Sequence, residues 1–245
     1  MKTLLLFTIS IVMLGIGAFD DPKPFVIVEL FTSEGCSSCP PADRLLSEIV
    51  DREHDGIEVI GLSFHVDYWD YIGWKDPYAN KKNTLRQQTY ARKFYSNQVY
   101  TPQMVVNGKY EFVGSNKSKW NEVFKNASIS SPRTELKVRS SKSSKGKLSF
   151  SVSSEFISNA ILNVALVERG LSQKVSRGEN RGRTLEHDNV VRGFDSRQFD
   201  GTENTFEISI PDDLMKKNAS HILYAQHQDT WEVLTAKKVQ LSTLY

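Results

Sequence analysis

From Phe25 to Phe31 the chain reads Phe-Val-Ile-Val-Glu-Leu-Phe, an almost unbroken apolar run of β-favouring residues. Such a run predicts a strand covered on both faces, because a strand with one wet face would alternate. Thr32–Gly35 is polar and predicts a loop. Over Pro41–Val50 the period changes, with Ala42, Leu45, Leu46 and Ile49 recurring on one helical face. Pro40 and Pro41 suit the first turn of that helix, where a missing N–H costs no hydrogen bond. Ile57–Phe64 predicts a second strand, followed by the polar and aromatic stretch His65–Tyr71 and a basic, helix-compatible segment from about Pro77 to Tyr95. Gln103–Val106 predicts a further strand, Asn107-Gly108 a two-residue hairpin turn, and Tyr110–Val113 the return strand. A short helix around Ser118–Asn126 completes a β-α-β-α-β-β-α order, which implies a mixed sheet flanked by helices.

The texture then changes. Ser128–Lys145 is rich in serine and lysine and reads as a solvated linker or hairpin tip. Beyond it come short β-type runs separated by polar or Gly-bearing turns: Leu136–Arg139, Lys147–Ser153, Ala160–Val167, Thr184–Arg192, Thr205–Ile210, His221–His227 and Trp231–Val239. That spacing predicts an all-β sandwich. The expected organisation is an α/β domain over residues 22–128 and a β-sandwich domain over 129–245.

Composition narrows the function. The 245 residues are ordinary for a globular protein, and a net charge of +2 implies no nucleic-acid partner. Lys2, the apolar segment Leu4–Ile16 and the small residues near Ala18 form an export signal over residues 1–19. The apolar segment is short of the roughly 20 residues a membrane span needs; an uncleaved anchor is the alternative. The mature protein is therefore expected in the periplasm or outside the cell, with no stable membrane span. In such a compartment a disulfide persists.

Cys36 and Cys39 are the only cysteines and stand as Cys-Ser-Ser-Cys between the first strand and the first helix. A bridge over so small a loop removes little unfolded-state entropy, so stapling the fold does not explain the pair. A helix N-terminus favours a thiolate, which suits thiol–disulfide exchange. Cys36, at the loop end and expected to be exposed, is the candidate nucleophile; Cys39, expected one turn inside the helix, is the candidate resolving thiol. His65 follows the second strand, which a mixed sheet lays beside the first. It is a candidate proton holder or, with Cys36 and Cys39, a ligand for copper or zinc. The plainer reading of His65, Asp67, Tyr68 and Trp69 is a loop ordered by packing and hydrogen bonds. Tyr68, Trp69, Tyr71, Trp74 and Tyr78 predict either a peptide groove or the core of a long connection. The basic residues of Lys75–Lys93 read as a solvated helix face. Gly178–Arg192, with Arg181, Arg183 and Arg192 among Glu179, Glu186, His187 and Asp188, reads as internal ion pairs and turns, with anion binding or an interface to the cysteine-bearing domain as alternatives.

The element order, Cys36-x-x-Cys39, the Thr101-Pro102 step and the hairpin after it resemble the thioredoxin fold. The resemblance implies a cis Pro102 facing the cysteines. Thr101 and Glu34 are further candidate supporting residues, beside His65 and Asp67. Four segments carry a wider resemblance: Glu29–Asp43, Ser63–Asp70, Tyr100–Val106 and Gly178–Arg192. Together they resemble a family of secreted bacterial thioredoxin-like proteins of unknown function. What this implies is an exported thiol–disulfide oxidoreductase that needs no cofactor and acts on a protein thiol or disulfide. A metal-delivery module and a non-catalytic interaction protein are the alternatives.

Overall fold

The computed structural model describes residues 23–96, 98–127, 134–142 and 147–241. The export signal expected over 1–19 and much of the serine- and lysine-rich stretch 128–145 lie outside the described residues.

The N-terminal half runs β1 (Phe25–Thr32), α1 (Pro40–Asp51), β2 (Glu58–His65), a 3-10 turn (Asp70–Ile72), α2 (Lys81–Lys93), β3 (Gln103–Val106), β4 (Tyr110–Val113) and α3 (Lys117–Ala127). Strand β1 is buried along its whole length because both its faces are covered. Val26, Val28 and Leu30 pack with α1 and α3, whereas Phe25, Ile27 and Phe31 pack on the face that holds Tyr90 of α2. The period-2 alternation of a strand sends these two sets to opposite sides. Gly61 permits close packing of α1 on β2, since a Cβ there would lie 2.7 Å from Val50 Cγ2. Helix α2 starts at Lys81 rather than near Pro77, because Asn80 caps it by accepting from the Lys82 N–H at 2.9 Å. Asn107 (φ 50°) and Gly108 (φ 69°) form the hairpin turn between β3 and β4.

The C-terminal half holds β5 (Lys137–Lys142), β6 (Lys147–Ser153), β7 (Ala160–Glu168), β8 (Leu171–Lys174), β9 (Thr184–His187), β10 (Val190–Phe199), β11 (Asn204–Ser209), β12 (Ala219–His227) and β13 (Val233–Gln240). The run expected as one strand over 184–192 is two, parted at Asp188-Asn189, where Asn189 takes φ 56°. Strands β11, β6 and β5 form one sheet, and β8 and β9 a two-stranded ribbon. Leu148, Phe150 and Phe206 of the three-stranded sheet share an apolar core with Leu162, Val164 and Leu223 of β7 and β12.

The largest sheet has the order β13-β12-β7-β10-β2-β1-β3-β4 and so runs through both halves. The join is the parallel pairing of β10 with β2, where Val190 stands opposite Ser63 and the Ser63 N–H donates to Asn189 O at 2.7 Å. It therefore crosses the boundary between residues 128 and 129 that the change of texture marks in the sequence. Among the described residues no helix is long and apolar enough to cross a membrane.

Candidate functional site

Strand β1 delivers the loop Ser33–Ser38 to the start of α1, and the two cysteines end up disulfide-bonded, with Cα atoms 5.4 Å apart. Cys39 is the N-cap of α1, so it stands at the helix mouth and not one turn inside. Its carbonyl accepts from Ala42 N and Asp43 N, which starts the helix directly behind the disulfide. The Thr101–Pro102 peptide bond is cis, and Thr101 O lies 3.9 Å from Cys36 Sγ. A bonded sulfur has no proton to donate, so this is an approach rather than a hydrogen bond. Ser38 Oγ, by contrast, lies 3.3 Å from the Cys36 sulfur and can donate to it.

The expectation of an exposed Cys36 is corrected: Cys36 and Cys39 are both 0% exposed, while Ser37 and Ser38 between them reach solvent. Residues distant in sequence pack on the loop that carries the pair. Trp69 packs on the loop, where a side chain at Gly35 would come 3.0 Å from Trp69 Cβ, and its indole N–H donates to Thr101 Oγ1 at 2.7 Å. From the C-terminal half, Asn180 Nδ2 donates to Glu34 O at 2.8 Å and to Cys36 O at 3.0 Å, and Glu179 Oε2 accepts from Ser37 N at 3.0 Å. The stretch 178–192 thus forms an interface with the cysteine loop as well as ion pairs. Its Arg192 does pair internally, with Glu168 and Asp213.

Beneath the cover lies a buried polar cluster. His65 Nδ1 and Asp76 Oδ2 are 2.7 Å apart, and the same oxygen accepts from Glu34 N at 2.9 Å. Glu34 Oε1 lies 3.1 Å from His187 Nε2, and Glu34 Oε2 accepts from the Trp74 indole at 2.8 Å. The His65 and His187 rings meet edge to face at 4.8 Å, and His187 Nδ1 lies 3.9 Å from Asp43 Oδ2. Burial opposes the charged imidazolium, yet the Asp76 carboxylate, with Asp43 and Glu34 behind it, outweighs that and raises the His65 pKa. Burial works against the Asp76 carboxylate too, but His65 and two backbone N–H donors hold its pKa below the ordinary value. Asp43 shifts the other way, because burial dominates over the two histidines.

Of the expected support residues, Glu34 and His65 join this cluster and Thr101 faces Cys36. Asp67 does not: its carboxylate accepts from Thr84 Oγ1 at 2.6 Å and pins α2. His65 Nδ1 is engaged by Asp76, and among the described residues no group of three or more His, Cys, Asp or Glu side chains is arranged to hold a metal ion. Of the aromatic set, Trp69 and Trp74 wall the site, whereas Tyr71 is exposed. Asp76 escaped sequence reasoning because nothing local marks it, whereas Asn180 and His187 lie in the stretch 178–192 whose alternative reading was an interface to the cysteine-bearing domain. Arg86 is a further surprise, being buried rather than on a solvated face. It donates to Glu29 Oε1 and Tyr224 OH at 2.8 and 2.7 Å, tying α2 and β1 to β12. The charged Glu29 inside an apolar strand was the available signal for such a partner.

Among solved structures, a protein of Agrobacterium tumefaciens is 28% identical with a TM-score of 0.63, the alignment covering 91% of this chain and 96% of that one. HBP35 of Porphyromonas gingivalis is 14% identical with a TM-score of 0.62, covering 91% and 77%; the likeness there concerns the fold alone. No curated protein matches the sequence. The family model described as "Protein of unknown function (DUF1223)" matches residues 27–226, and the chain belongs to that family.

Proposed function

We propose that this member of the family is an exported thiol–disulfide oxidoreductase, with a thioredoxin-like N-terminal domain and an appended β domain. One observation carries the reading: the disulfide sits at the mouth of α1 with the carbonyl before a cis proline 3.9 Å from Cys36 Sγ. The helix dipole at that mouth favours a thiolate on the reduced cysteine.

In one direction a substrate thiolate attacks Cys36 Sγ. The Cys36–Cys39 bond breaks and Cys39 leaves as a thiolate. A second substrate thiolate then attacks the mixed disulfide and frees Cys36. Two electrons pass from substrate to protein, the substrate gains a disulfide, and the two cysteines take up the protons its thiols release. The reverse direction uses the same bonds, with Cys36 attacking and Cys39 resolving. Proton traffic accompanies either course, and the cluster supports it. Glu34 lies two residues before Cys36, and Asp43 hydrogen-bonds through its N–H to Cys39 O at 3.1 Å. His65, whose imidazolium the Asp76 carboxylate favours, can hold a proton in this cluster.

The test is alkylation of the reduced protein against pH, paired with capture of partners on a Cys39→Ser variant in the host. The expected result is a Cys36 thiol titrating clearly below the free value of about 8.5, and a covalently trapped protein. A thiol titrating at or above that value, with an empty trap, overturns the proposal.

A further inference from the structure

The cover over the disulfide has a chemical pattern of its own. Segment 178–183 leaves β8 and returns to β9, closed at its neck by Val175 N to Arg183 O and Gly182 N to Val175 O, both 2.9 Å. Two residues at its tip reach the cysteine loop. Asn180, which is 0% exposed, gives both its amide protons to carbonyls, Glu34 O and Cys36 O. Glu179 supplies an acceptor to Ser37 N. Arg183 Nη1 fixes the other end of the Asn180 amide by donating to Oδ1 at 2.9 Å. Ile72 completes the seal. Its Cδ1 would lie 3.3 Å from a Cβ at Gly35 and 2.9 Å from one at Gly178, so the two loops close on the same methyl group. Gly178 also has φ +73°, a conformation that suits glycine.

Donors to two backbone carbonyls and an acceptor for the N–H beside them form the set that an extended polypeptide presents through its own main chain. Asn180 and Glu179 hold those positions with side chains. We infer that segment 178–183 is a gate that excludes small thiols from the Cys36–Cys39 disulfide and is displaced by a polypeptide, whose backbone takes over the hydrogen bonds of Asn180 and Glu179. The substrate class is thus an extended protein segment bearing a thiol, not glutathione or another small thiol. This inference rests on the redox reading above. Displacement by a small thiol strips Glu34 O of the Asn180 amide with no replacement, while Cys36 O keeps the bond from Cys39 N at 3.2 Å, and an unpaired carbonyl is costly when enclosed. Displacement by a peptide does not.

The test compares reduction of the disulfide by reduced glutathione and by an extended single-cysteine peptide at equal thiolate concentration, in the wild type and in Asn180→Ala. In the wild type the peptide is expected to be much the faster. Asn180→Ala is expected to raise the glutathione rate about tenfold or more, as loss of two hydrogen bonds shifts local opening. The exposed Glu179→Ala, which spares the core, is expected to raise it about threefold. Leu148→Ala in the remote apolar core serves as the control for global unfolding. Equal wild-type rates for the two thiols, an unchanged glutathione rate in Asn180→Ala, or the same acceleration in Leu148→Ala overturns the gate. These rates concern access to the oxidised protein, whereas the alkylation profile and the Cys39→Ser trap concern the reduced one. The gate therefore fails separately from the redox reading: a trapped partner with an ungated disulfide sinks only the former.

Discussion

Each half of the molecule buries a histidine completely, and the two meet opposite fates. His65, under the cysteine loop, has Asp76 at 2.7 Å and a raised pKa. His221, on β12, packs against the Phe150 ring at 4.4 Å, has no hydrogen-bond partner on either ring nitrogen, and is pushed down to about 4 by burial. Burial alone does not set a protonation state; the presence or absence of a charged neighbour does. The same contrast holds for the regions around them. The site beneath the cysteine loop is a web of buried donors and acceptors linking His65, Asp76, Glu34, Trp74 and His187. The core between the two facing sheets is held by shape and apolar area.

Two substitutions break the comparison most forcefully. Phe150→Ala empties part of the apolar core and is expected to cost about 3–5 kcal/mol in denaturant unfolding. Arg86→Met, which orphans the buried Glu29 carboxylate, is expected to cost a similar amount, about 3–5 kcal/mol. The difference lies in rescue. Adding Glu29→Gln to Arg86→Met removes the uncompensated charge and is expected to recover most of the loss, while no polar change recovers Phe150→Ala. A double variant as unstable as Arg86→Met alone would show that packing, not charge, dominates there.

Acid sharpens the contrast between the histidines. The folded pKa of His221 lies below its ordinary 6.5, so its contribution is full above that value and is lost as pH falls toward about 4. The loss amounts to about 3 kcal/mol, and His221→Leu is expected to abolish that part of the acid dependence. His65 runs the other way. Its folded pKa is raised, so its contribution is full below about 6.5 and fades as pH rises through the raised value. Asp76→Asn is expected to reverse the direction of the His65 shift in an NMR titration and to cost about 1–3 kcal/mol near pH 6. An unmoved His65 titration would mean that Asp43 and Glu34 suffice to hold its proton. Smallest of all is the exposed pair Lys119–Glu122 on α3, where Lys119→Ala is expected to change stability by less than about 0.5 kcal/mol.

Much of the chain's architecture was legible because it is written locally. The unbroken run at 25–31, the helical spacing of Ala42, Leu45, Leu46 and Ile49, and Asn107-Gly108 each record a constraint that acts within one element or one turn. Legibility failed where an element's limit depends on a distant neighbour. The run 184–192 breaks at Asn189 because that residue's carbonyl serves Ser63 of β2. Arg86 looks solvated in the sequence because its helix is otherwise polar, and its partners are scattered over β1, β7 and β12.

The candidate site divides in the same way. The amino-acid sequence and its resemblance to the thioredoxin fold offered Cys36, Cys39, Pro102, Glu34, His65, Asp67 and Thr101 as candidates, since each stands near the end or start of a recognisable element; the structure sets Asp67 apart from the others, against Thr84. That the disulfide is buried, and that Asn180 holds the Cys36 carbonyl from 144 residues away, was settled only in three dimensions. A periodic pattern reports whether a residue is buried within its own element. Which buried residues meet is set by strand pairing across the β2–β10 join, and no short stretch of sequence contains both sides of that pairing.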